Sequence, residues 1–231
     1  MPEPTTPSPT ALPYVAPMVG FLALTAAEGY LPTRGGGADP LWYPVVYAIK
    51  VAIVAALAWT CRSTWRDLSP RPSPGALALA TALGLGVAAL WVGLDGHYPA
   101  LPFLGGKRSS FDPNAMPRAG MVAFVAVRLL GLVVLVPLIE ELFWRSFLMR
   151  WVIDQDFTRV PIGRVTPLAA AVTSVAFGLA HPEWLPGLIT GLAWAWLVWQ
   201  TKSLSACVVS HAVANLALGL YVIATGDWKY W

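Results

Sequence analysis

"LIEELFWRSFLMRW", residues 138–151, places two adjacent glutamates and two arginines inside a run that otherwise reads as membrane-embedded helix. Ionised groups are costly in hydrocarbon, and those a chain retains there face a bundle interior and mark functional positions. The pair Glu140-Glu141 has a plainer reading, as the headgroup-level end of a span. Against it, the run stays apolar through Leu142, Phe143, Trp144, Phe147, Leu148, Met149 and Trp151. The stretch therefore reads as the middle of a span.

The rest of the chain agrees. Of its 231 residues 57% are hydrophobic and 12% charged, and the mean hydropathy is +0.61. Soluble domains carry about a quarter charged residues. A globular core of this length cannot absorb so much apolar surface, whereas a bilayer can. Runs long enough to span fall near 13–31, 41–61, 75–94, 120–152, 166–181, 184–200 and 203–225. The expectation is an all-α, polytopic transmembrane bundle of about seven to eight spans around a buried polar cavity. One integral-membrane domain, 13–231, follows a disordered tail at 1–12. That tail, beginning "MPEPTTPSPT", has no positively charged region before its first apolar run and does not read as a signal peptide.

Other partners and chemistries are disfavoured. The net charge of +3 forms no basic tract, so nucleic acid is not expected. Cys61 and Cys207 make neither a CxxC nor a metal spacing and read as small buried apolar residues. Loop charge favours a cytoplasmic N-terminus only slightly. The longest connection, 95–120, holds belt-type residues Tyr98, Leu101, Phe103 and Leu104 and is expected to carry a short interfacial segment.

The fourth span is over-long for a hydrocarbon core of about 30 Å, and Pro137 predicts a kink three residues before the glutamates. The fifth and sixth are short and split by "HPEWLPG", as expected of segments that line a cavity.

Three polar clusters survive inside these spans. Glu141 and Arg145 are four apart on a helix, acid before base, the order that favours pairing. Glu140 is turned about 100° away and need not share that partner. Phe177 and His181 are four apart on one face, with Pro182 next. His211 and Asn215 are four apart in the middle of the last span. Singly, each is compatible with a satisfied interface residue. Together they supply carboxylates, imidazoles and a carboxamide, the inventory of a buried hydrolytic site. Glu28, Lys50 and Arg128 are expected to snorkel or pair within the bundle, and Glu183 to line the pocket mouth.

The ordered set Glu-Glu-x-x-x-Arg at 140–145, Phe-x-x-x-His at 177–181 and His-x-x-x-Asn at 211–215 resembles the CAAX protease and bacteriocin-processing family. The resemblance covers about residues 120–220. The chain's length, short N-terminal tail and Trp content also resemble a bacterial subgroup associated with exosortase protein sorting. The resemblance implies a glutamic-type intramembrane endopeptidase acting on membrane-associated peptide or protein substrates, in a bacterial inner membrane. Glu140 would activate water, Glu141 would assist or be oriented by Arg145, and His181 would face the same cavity. His211 and Asn215 would stabilise the oxyanion. No cofactor is expected. A zinc site on Glu140, His181 and His211 competes, but the chain lacks HExxH, since "HPEWL" has no second histidine four residues on. A non-catalytic membrane scaffold or a small proton- or ion-coupled transporter are the other readings. In a simple seven-span layout Glu140 and His181 approach from opposite sides. They meet only if the fourth span runs deep or the segment at 181–186 dips into the bundle.

Overall fold

The computed structural model describes residues 10–34, 37–101, 104 and 111–230. Residues 1–9 of the expected tail lie outside that set, as does Phe103. The described residues form seven long helices: α1 (Leu12–Glu28), α2 (Tyr43–Thr60), α3 (Pro74–Gly93), α4 (Arg118–Ile153), α5 (Pro167–Leu179), α6 (Trp184–Thr201) and α7 (Leu204–Thr225). Of these, α2, α3, α4 and α7 are long and apolar enough to cross a membrane, and α1 and α5 are shorter apolar helices. Each of the seven expected runs is occupied by a helix, four of them of spanning length and hydropathy. Between α1 and α2, Thr33–Arg34 pairs antiparallel with Gly37–Ala38.

The helix starts follow local chemistry. Ser73, Thr166 and Ser203 each accept a hydrogen bond from the backbone N–H three residues on, and Pro74 and Pro167 occupy first-turn positions where an N–H is not needed.

The over-long helix α4 is continuous but not uniform. It is π-helical at Gly131–Leu135 and again at Leu142–Leu148. In the first π segment the Val136 N–H bonds to the Gly131 carbonyl. In that register the next carbonyl, Leu132, looks to Pro137, which has no N–H to give. Thus the feature expected as a kink takes the form of a widened turn. Its geometric effect is useful. Over the twelve residues from Arg128 to Glu140 a straight α-helix would rotate a side chain about 120° off its starting face, and a π turn takes in an extra residue and reduces that drift.

Two close helix pairs frame the site. α5 and α6 form a hairpin whose backbones nearly touch: a Cβ on Gly191 would sit 2.8 Å from Ser174 Cα, and one on Gly178 would sit 2.8 Å from the Trp184 carbonyl oxygen. Gly187 and Gly191 are a small-xxx-small pair, which permits such approach between membrane helices. α3 packs along α7 with Gly84 against the Ser210 carbonyl. At the C-terminal end of α4, Asp67 Oδ2 accepts from Tyr14 (2.8 Å), Ser146 (2.5 Å) and Arg150 (2.7 Å), tying α1, α4 and the 3₁₀ segment Arg62–Leu68 together. Both cysteines are free thiols.

Candidate active site

Four of the six expected site residues line one cavity of about 420 Å³: Glu140 from α4, His181 just beyond α5, and His211 and Asn215 from α7. Glu183 lines it too, as expected of the pocket mouth. The other two, Glu141 and Arg145, are 0% and 3% exposed and lie behind the wall. The site is therefore built in two layers.

The buried layer centres on Glu141 Oε1. It accepts from Arg145 Nη1 at 3.1 Å, the contact the four-residue spacing predicts, and from His211 Nδ1 at 2.9 Å. The guanidinium lies over the rings of Phe177 and Trp194, at 4.7 and 5.1 Å. Such cation–π contacts gain strength where water is excluded. Trp194 also stacks on His211, centroids 4.3 Å apart, while its Nε1–H is held by Ser210 Oγ at 3.0 Å. The imidazole is thus fixed in position on its face and at one nitrogen.

That arrangement determines which atoms face the cavity chemically. A carboxylate oxygen only accepts, so His211 Nδ1 carries the proton and Nε2 is the nitrogen left for substrate. The same logic applies at His181, whose Nδ1 donates to the Phe177 carbonyl at 2.8 Å. Its ring lies 4.7 Å from that of Phe177 and meets Trp91 edge-on at 5.6 Å. Trp91 is itself anchored through Nε1 to Thr190 Oγ1 at 3.1 Å.

Asn215 departs from the simple expectation. Its Nδ2 donates at 2.7 Å to the Leu132 carbonyl, the group that Pro137 leaves without a partner in the π register. One amide N–H therefore serves the backbone of α4, and the second remains for an oxyanion.

The opposed approach of Glu140 and His181 resolves through the shortness of α5. It has 13 residues, and the chain turns back into the bundle so that Pro186 and Gly187 are buried. His181 thus opens onto the interior and not onto the far surface. Trp91, Thr190 and Trp194 carry no mark in the sequence beyond belonging to apolar spans. Lys50, Glu28 and Arg128 also reach this cavity. Lys50 pairs with Glu28 at 2.8 Å, so they pair within the bundle and do not snorkel.

A cavity walled by helices and lined by the Glu140 carboxylate, two oriented imidazoles and a carboxamide holds the inventory of a hydrolytic site. Residues 122–217 match the family model of the Rce1-like proteins, type II CAAX prenyl endopeptidases. The matched segment runs from the first turns of α4 into α7 and contains all six site residues. No curated protein and no solved structure gives a significant match. The match supports a CAAX-type protease, and the apolar helices together with it support an integral membrane protein.

Proposed function

We propose that the chain hydrolyses a peptide bond of a membrane-associated peptide or protein, using water activated by Glu140. The observation that carries this reading is the convergence of Glu140, His181, His211 and Asn215 on one cavity, backed by the Arg145–Glu141–His211 chain of contacts. Glu140 accepts a proton as the water oxygen bonds to the scissile carbonyl carbon. The resulting oxyanion lies against the spare N–H of Asn215 and His211, which donates through Nε2 when its ring is doubly protonated beside Glu141. Collapse breaks the C–N bond, and Glu140 returns its proton to the leaving nitrogen. Glu141 does not touch substrate in this scheme. It holds the imidazole.

A zinc centre would use Glu140, His181 and His211. Among the described residues no three His, Cys, Asp or Glu side chains are grouped to hold a metal ion. We read the reaction as metal-independent because the chain lacks HExxH and two adjacent glutamates with an arginine partner suit proton chemistry. The narrower resemblance noted in the sequence is the ground for placing the chain in a bacterial inner membrane with exosortase-type sorting components as partners.

The test compares terminal peptides of membrane proteins, by mass spectrometry, between cells expressing wild type and Glu140→Gln. New termini found only with wild type support the reading and identify the substrate. With both proteins abundant in the membrane, identical termini would instead favour a scaffold or a transporter.

A further inference from the structure

Lys50 and Arg128 are 4% and 7% exposed and face the cavity that Glu140 faces. Neither belongs to the three motifs, and no step above uses them. Both converge on one ring: Lys50 Nζ lies 4.7 Å and Arg128 Cζ 4.8 Å from the centroid of Tyr47. Arg128 Nη1 donates to the Tyr43 hydroxyl at 2.8 Å, and Lys50 meets Glu28 at 2.8 Å. This wall of the cavity brings Lys50, Arg128 and Glu28 together, and it is built by α1, α2 and α4. A guanidinium presents a planar fork that matches a carboxylate, and removal of water strengthens that contact.

The spacing to the catalytic glutamate is fixed by α4. Arg128, Leu132, Val136 and Glu140 all line the cavity, one every four residues. The cavity therefore follows α4 for about 18 Å at 1.5 Å per residue. An extended peptide covers that distance in about five to six residues.

We propose that Lys50 and Arg128 form an anion subsite that holds a carboxylate of the peptide substrate and so sets the scissile bond within about six residues of it. The carboxylate belongs to an acidic side chain or to a chain terminus. Both cations face inward between helices, which favours a peptide group over the headgroup of a surrounding lipid. The proposal rests on the endopeptidase reading, and its test separates the two.

The comparison of wild type with Glu140→Gln comes first. If it yields no cleaved bond, the endopeptidase reading fails and the subsite proposal falls with it. Given a cleaved bond, a synthetic peptide spanning it is assayed with the purified full-length chain in three forms. One is unaltered, one has acidic side chains within six residues replaced by their amides, and one ends in a carboxamide. One amide form should lose at least tenfold in kcat/KM, chiefly through KM, and which form does so identifies the source of the carboxylate. In Arg128→Gln and Lys50→Gln the acid-to-amide ratio should collapse towards one. Where a Gln variant does not accumulate, Arg128→Lys, which keeps the charge but not the fork, reports the same ratio and should lower it. Equal rates for all three peptides with wild type overturn the subsite while leaving the protease intact. So does a ratio unchanged by the substitutions.

Discussion

Asn215 Nδ2 reaches across from α7 and donates at 2.7 Å to the Leu132 carbonyl of α4, the acceptor that Pro137 cannot serve. One side chain thus holds open the widened turn that precedes Glu140. The contact links the last motif of the sequence to the first.

Replacing Asn215 by Ala should strand that carbonyl and cost about 1–3 kcal/mol, the usual penalty for an unsatisfied buried acceptor. Pro137→Ala restores an N–H to the same register. In that background the Asn215→Ala cost should shrink by about 0.5 kcal/mol or more. Thermal unfolding of the four proteins in one detergent measures this coupling. Strictly additive effects would confine the amide's role to the substrate.

Arg145→Met leaves the Glu141 carboxylate buried, with 0% exposure and one partner fewer. Breaking such a pair costs about 3–5 kcal/mol. The double variant Glu141→Gln with Arg145→Met should regain much of that stability, because no charge is left without its partner. Cleavage should stay lost, since Glu141 also holds His211. Recovery of cleavage along with stability would show that the orientation of His211 does not matter.

The glycines give a clean contrast. Gly191→Ala forces a Cβ to 2.8 Å from Ser174 Cα, whereas Gly86→Ala meets nothing within 4 Å. The first should destabilise by about 1–3 kcal/mol through overpacking. The second should be neutral or stabilise by up to about 1 kcal/mol through helix propensity. Similar unfolding temperatures for the two would contradict the backbone contact in the α5–α6 hairpin.

Chelation should leave cleavage intact. Purified chain treated with EDTA or 1,10-phenanthroline and assayed on a cleaved peptide should retain wild-type rates. A loss that added zinc reverses would replace the glutamate-and-water scheme with one centred on Glu140, His181 and His211.

What the sequence made legible was whatever is local. The spans could be read because apolar runs end at Pro, Gly and Arg clusters. Glu141–Arg145 could be read because four residues is one helical turn. The Glu141–His211 contact joins residues 70 apart, and no periodicity encodes it. Pro137 announced a disturbance in α4 but not its form, because whether a helix bends or widens is decided by a partner such as Asn215 on another helix. Lys50 and Glu28 were recognisable as costly charges. That they meet each other, and that Arg128 approaches the same tyrosine, follows only from how α1, α2 and α4 assemble.

The α5–α6 hairpin has a consequence for traffic. Its two helices meet backbone to backbone at Gly178 and Gly191, so they cannot part without losing contacts along their whole length. The opposite wall is joined differently. α1 and α2 meet through side-chain tips, as where Gly20 faces Leu57 Cδ1, and through the Lys50–Glu28 ion pair. Any opening of the bundle is therefore easier on the α1–α2 side, where rotamers can swing aside while the α5–α6 frame stays fixed.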